Sequence, residues 1–118
     1  MVQIFGTNKS FDTKTAQRFF KERRIPFQFI DLKEKEMSRG EFDNVFDLLT
    51  KSLGSKEKAL EAMIDKKNKD YSSISYLDEN DKKDKLFENQ NLLTLPICRN
   101  GKLAATVGLS NKIWENWK

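Results

Sequence analysis

The chain has 118 residues, 37% hydrophobic and 34% charged, and a net charge of +4 from 22 Lys and Arg against 18 Asp and Glu. That length supports one domain, 1–118, with its own core, and the interspersed charge signs lack the one-sided basic face of a dedicated nucleic-acid binder. With no histidine and one cysteine, Cys98, the sequence excludes Ser-His and Cys-His nucleophile pairs, His-based metal sites and an intramolecular disulfide. No apolar run approaches the ~20 residues of a membrane span and "MVQIFG" is too short for a signal peptide, so a cytoplasmic, reducing compartment is expected, with no membrane and no metal.

In chain order, "VQIFG" at 2–6 is β-prone and stops at a glycine, which predicts a short buried strand. Ser10 or Asp12 can cap a following helix, where Ala16, Phe19, Phe20 and Arg23 share one face, with the arginine stem at the edge. Pro26 ends that helix and "RRIPFQFIDL" supplies a second strand through Phe27, Phe29 and Ile30. Strand, helix and strand within about thirty residues form a right-handed βαβ unit, so these strands should be parallel.

The middle, about 38–90, reads as helical. "MSRGEFDNVFDLLTKSLG" opens on a capping box of Ser38 and Glu41, carries Phe42, Val45, Phe46 and Leu49 on one face and closes at Gly54. "SKEKALEAMIDKK" offers a second helix, with Leu60, Met63 and Ile64 inward, and "DENDKKDKLFEN" a third, anchored by Leu77, Leu86 and Phe87. The basic run "KKNK" at 66–69 is flanked by acidic residues and reads as a solvated loop, with a phosphate-binding patch as the alternative. "LPICRNGKLAATVG" then has two β-prone runs around Asn100-Gly101, suited to a tight hairpin, and "LSNKIWENWK" closes the chain as a helix with Ser110 as its cap. Phe5, Phe19, Phe20, Phe27, Phe29, Phe42, Phe46 and Trp114 fall at core spacing; Trp117 is left between the core and an exposed contact for a partner. This order makes an α/β fold: a mixed four-stranded sheet flanked by helices, in the thioredoxin-like arrangement, with a helical insertion between strands 2 and 3.

The stretches "IFGTNKSFDTKTAQRFFKERRIPFQF", "LEAMIDKKNKDYSSI" and "LLTLPICRNGKLAATVGLSNKIWENW", in this order along nearly the whole chain, resemble the arsenate reductase and Spx family, a thioredoxin-like group. The resemblance implies a catalytic cysteine in the loop after the first strand and, in Spx regulators, a second cysteine three residues on; those places hold Ser10 and Thr13. It implies an oxyanion-holding arginine just before the proline of the third strand, where Leu95 stands, and another near Asp65 and Lys66. It also implies a cis bond at Leu95-Pro96.

Reduction of arsenate or of a glutathione mixed disulfide needs a thiolate that attacks and then leaves within a disulfide. Serine has no such chemistry, and without histidine nothing obvious activates it. Ser10 therefore reads as an N-cap, and the catalytic place as degenerate. An engineered serine in place of cysteine would leave the same sequence at 10 without accounting for Leu95 or Phe11. An anion site is expected to survive: the N–H groups of Phe11, Asp12 and Thr13 at a helix N-terminus, helped by Asn8, Lys9 and Lys14, suit phosphate, sulfate or the carboxylate of a thiol peptide. Cys98 has two readings, a small buried hydrophobe or a relocated redox thiol kept partly ionised by Arg99 and Lys102.

Three functions follow. The first is a monomeric binding or regulatory module without redox catalysis; by resemblance to Spx proteins, in "RRIPF", its partner would be RNA polymerase rather than nucleic acid. The second is a glutathione-dependent reductase using Cys98, the one reading that brings in glutathione; otherwise no cofactor is expected. The third is an arsenate-reductase-like protein whose target is another small oxyanion.

Overall fold

A computed structural model describes residues 1–117. They fall into two compact units, one formed by Met1–Glu36 with Leu95–Lys118 and the other by Met37–Thr94.

The first unit is built on four strands, β1 (Val2–Gly6), β2 (Phe27–Asp31), β3 (Ile97–Asn100) and β4 (Ala104–Val107), in the order β2-β1-β3-β4. β1 and β2 are parallel, from Val2 opposite Phe27 to Gly6 opposite Asp31, as the βαβ reading requires. β3 runs antiparallel to β1, with Ile4 opposite Cys98, and β4 antiparallel to β3, with Cys98 opposite Thr106. The ends of β1, β2 and β4 and the start of β3 therefore meet at one edge of the sheet.

Helix α1 (Phe11–Glu22) crosses from β1 to β2. Its Ala16, Phe19 and Phe20 bury against Val2, Ile4 and Cys98, joined by Trp114 and Trp117. Trp114 comes from the closing helix, which among the described residues is a single turn (Asn111–Trp114), called α5 below. Its indole Nε1 donates to Thr106 Oγ1 at 2.8 Å and its ring meets Phe19 and Phe20 at 5.3 and 5.2 Å, so a large aromatic is buried with its polar atom satisfied. Trp117 is not a free contact surface: it is buried and stacked on Phe20.

Three local expectations change. Pro26 does not end α1; Arg24 does, in a left-handed conformation (φ 57°) that lets Ile25 N–H reach the Phe20 carbonyl and Arg24 N–H the Lys21 carbonyl. This is a Schellman stop with arginine where glycine is usual. Arg23 does lie at the edge as expected, its guanidinium over the Phe19 ring and donating to the Phe19 carbonyl. The β3–β4 turn is one residue longer than a two-residue hairpin, with Gly101 at φ 56° and Asn100 paired to Ala104. Ser110 does not cap α5; its hydroxyl donates to the Gly108 carbonyl.

The second unit holds α2 (Arg39–Leu53), α3 (Lys56–Met63) and α4 (Glu79–Glu88). The capping box forms as expected: Ser38 Oγ accepts from Glu41 N–H and the Glu41 carboxylate from Ser38 N–H. Phe42, Val45, Phe46 and Leu49 bury along α2, and Gly54 ends it at φ 103°. Leu60, Met63 and Ile64 bury from α3 and its end, and Leu86 from α4. Buried Gln90 ties the unit's two ends together, accepting from Met37 N–H at 2.8 Å and donating to the Met37 carbonyl at 3.0 Å. The "KKNK" run is a solvated loop: Lys66 pairs with Glu61 at 3.6 Å, and the Asn68 amide donates to the Asn91 carbonyl.

Candidate functional site

The loop from Thr7 to Ser10 leaves β1 at the sheet edge and delivers the N-terminus of α1. Ser10 is the N-cap: its backbone is extended, its N–H bonds the Thr7 carbonyl at 3.1 Å, and its Oγ accepts from Thr13 N–H at 3.1 Å. That bond uses the hydroxyl oxygen as a helix cap. It also corrects the anion-site expectation, because the Thr13 N–H is taken; of the three expected donors, Phe11 and Asp12 N–H remain without a partner among the described residues. The Asp12 carboxylate lies in the first turn and already answers the positive end of the helix dipole. Asn8, Lys9 and Lys14 are exposed around the mouth, as a screen of donors would be.

Thr13 is wholly buried beneath the loop. A Cβ on Gly6 would lie 2.3 Å from Thr13 Oγ1 and 2.5 Å from Cγ2, so glycine is what lets helix and strand approach this closely. Among the described residues Thr13 Oγ1 has no hydrogen-bond partner. Its side chain packs toward β1 rather than toward the mouth. The sequence reading placed Thr13 among the anion donors and missed this contact, although Thr13, Ala16 and Phe20 share one helical face and the spacing could have marked it as core.

At the same edge, Leu95 and Pro96 lead into β3 and their peptide bond is cis, as the resemblance implied. The Pro96 carbonyl accepts from Gly108 N–H at 2.9 Å, which joins this corner to the end of β4. Leu95, half-buried, presents a hydrocarbon side chain where the resemblance implied a guanidinium. Asp65 and Lys66, the other implied place, lie in the second unit just after α3; Asp65 caps the turn by accepting from Lys67 N–H.

Cys98 lies in β3 on the α1 side of the sheet, 0% exposed, between Ile4 and Thr106. Burial pushes its thiol pKa far up, and a hydrogen bond to Thr106 opposes this only in part. The expected help from Arg99 and Lys102 is absent. Arg99 alternates to the opposite face, where its Nε donates to Gln3 Oε1 at 2.6 Å and its guanidinium lies 5.7 Å from the Phe5 ring. Lys102 is exposed in the hairpin turn. Nucleophilic attack needs a thiolate that its substrate can reach, and this burial disfavours both.

Among the described residues no helix is long and apolar enough to cross a membrane, and no group of three or more His, Cys, Asp or Glu is placed to hold a metal ion.

No protein-family model and no curated protein matches the chain. Solved structures match its fold over nearly all of its length. An arsenate reductase from Vibrio cholerae is 20% identical with a TM-score of 0.79, covering 99% of this chain and 97% of its own. An arsenate reductase (ArsC) related protein from Brucella melitensis is 14% identical, TM-score 0.66, covering 98% and 92%, and the protein SACOL0876 from Staphylococcus aureus COL is 15% identical, TM-score 0.74, covering 99% and 98%. The chain thus has the thioredoxin-like fold of arsenate-reductase-type proteins.

Proposed function

We propose that this chain is a thioredoxin-like protein of the arsenate-reductase type that has given up thiol-redox catalysis and acts as a binding or regulatory module, with the α1 mouth as its recognition end. The observation that carries the reading is Ser10: the residue at the head of α1 spends its side-chain oxygen on the Thr13 N–H, and the chain has no histidine to activate it. Leu95 in place of a cation supports the same reading, because a developing oxyanion beside Pro96 would meet hydrocarbon instead of charge. The burial of Cys98 speaks against the alternative of a relocated thiol.

The ligand favoured at the mouth is a small oxyanion or a carboxylate, held by Phe11 and Asp12 N–H with Asn8, Lys9 and Lys14 around it. The test is an NADPH-coupled, glutathione-dependent assay with arsenate and then a mixed disulfide, on this protein beside Ser10→Cys and Cys98→Ala. No turnover in the parent is expected; turnover that vanishes in Cys98→Ala would overturn the reading. Calorimetric titration with phosphate tests the mouth. Heat should appear at millimolar phosphate and the affinity should rise about two- to fivefold in Asp12→Asn, which removes the competing charge; no heat in either protein would sink the anion site.

A further inference from the structure

The second unit holds a cleft of about 290 Å3, lined by its own residues between Glu57 and Lys82. One wall is a single face of α3 and its end, because Glu57, Leu60, Glu61 and Ile64 recur at the helical spacing of three and four residues. Lys66 and Tyr71 come from the loop that follows, and Glu79 and Lys82 from the opening of α4. Leu60 and Ile64, buried, and Tyr71, half-buried, give the cleft its apolar surface. A concave site that joins apolar surface to a few polar groups is the usual form of a small-molecule site, and this one lies at the lower end of their size range.

The five charged groups of the lining do not cancel one another. Lys66 pairs with Glu61 at 3.6 Å. The carboxylates of Glu57 and Glu79 and the ammonium of Lys82 have no hydrogen bond or ion pair among the described residues. Their charged neighbours in sequence leave them so. Asp65 accepts from Lys67 N–H, Asp78 accepts from Asp81 N–H, and Lys83 pairs with Asp43 at 3.4 Å. Lys56 and Lys58 flank Glu57 and do not line the cleft. Two carboxylates and one ammonium are thus left over beside apolar surface, and their complement is a molecule with two cationic groups and one carboxylate joined by hydrocarbon. We propose that this cleft binds a free basic α-amino acid of the lysine class. Glu57 and Glu79 take its two cationic groups, Lys82 its carboxylate, and Leu60, Ile64 and Tyr71 its aliphatic chain. This site is independent of the α1 mouth, and its own titration decides it whatever phosphate shows there.

The experiment is an amide NMR titration of the whole chain with L-lysine, beside norleucine, which lacks the side-chain ammonium, and cadaverine, which lacks the carboxylate. L-lysine at millimolar concentration should shift the amides of residues 57–82 saturably, and more weakly as salt rises. Norleucine and cadaverine should each bind at least about fivefold more weakly, since each leaves a lining charge unanswered. Glu79→Gln should weaken L-lysine about three- to fivefold, and Lys82→Met should do the same while leaving cadaverine unchanged. Lys102→Met, which removes an exposed lysine of the β3–β4 turn, should leave L-lysine binding as in the parent. The ligand series is read on the unaltered chain and stands even if a variant fails to fold. No saturable shift with L-lysine, norleucine binding as tightly as L-lysine, or shifts centred outside residues 57–82 would each overturn the proposal. Equal binding of cadaverine and L-lysine would make the cleft a diamine site and overturn it as well.

Discussion

The mouth of α1 and the middle of β3 hold the two halves of a thiol site, and the chain keeps them apart. At the mouth, Ser10 has the position that chemistry needs: a helix N-terminus, partial exposure and lysines nearby, but no sulfur. In β3, Cys98 has the sulfur but none of the surroundings, since it is sealed among Ile4, Phe20 and Trp114 with its pKa driven up. Reactivity belongs to the atom and its environment together, because the thiolate alone attacks and only a polar, accessible site generates it. The two regions also differ in polar accounting. Thr106 beside Cys98 is bonded to Trp114 Nε1, whereas Thr13 beneath the mouth carries a buried hydroxyl without a partner.

The largest effect comes from moving the sulfur. In native protein Cys98 should react with iodoacetamide only when the fold opens, whereas Ser10→Cys in a Cys98→Ala background should react as an accessible thiol. A domain of ordinary stability opens rarely enough to separate the two rates by at least ~10³. Mass spectrometry of timed alkylation measures both; comparable rates would mean that β3 opens locally and the contrast between the regions is false.

How the two regions looked in the sequence bears on this. β1, β2, α1 and the capping box of α2 were legible because each has a local cause: alternation in "VQIFG" and "FQF", the face of Ala16, Phe19 and Phe20, and Ser38 with Glu41. The stop of α1 was misplaced because Pro26 is a conspicuous signal and a left-handed arginine is not. At the site, Ser10 as N-cap was readable from residue type. The loss of the Thr13 N–H as a donor was not, because it depends on where the Ser10 hydroxyl turns. The state of Cys98 was least legible: its neighbours in sequence, Arg99 and Lys102, suggest a basic setting, and only strand alternation and the packing of α1 and α5 show that it faces hydrocarbon.

The next largest effect lies under the mouth. Gly6→Ala would set a methyl group inside the Thr13 side chain, and relief requires moving either the helix or the strand. A loss of about 1–3 kcal/mol in urea denaturation is expected, typical of forced overpacking. A loss below about 0.5 kcal/mol would show that Thr13 can swing aside and that the mouth is less rigidly seated than β3.

Cys98 predicts a pH dependence. The folded state holds its thiol proton above the range in which the unfolded chain releases it, so at alkaline pH the folded state binds more protons. Stability from this group is therefore complete below about pH 8.5 and falls as pH rises beyond it, by at most about 1.4 kcal/mol per pH unit. Comparing urea midpoints at pH 7 and 10 for the parent and Cys98→Ala isolates this contribution from that of the rest of the chain. An identical alkaline loss in both proteins would mean that the thiol is not sealed.

The smallest effect, that of Thr13→Val, is the most discriminating, because threonine-to-valine should act with opposite signs in the two regions. Thr106→Val removes the acceptor of Trp114 Nε1 and the partner of Cys98, leaving a buried indole donor unsatisfied, and should cost about 1–3 kcal/mol. Thr13→Val keeps the shape that fills the space beside Gly6 while deleting a hydroxyl that has no partner to lose. It should stabilise the protein by about 1 kcal/mol, since the desolvation cost of that oxygen disappears with nothing given up. Anion affinity at the mouth should not change, because Thr13 packs toward β1 and its N–H stays with Ser10. If Thr13→Val instead destabilises the fold or abolishes phosphate binding, the hydroxyl serves the mouth directly, and the mouth keeps more of a working site than Ser10 suggests.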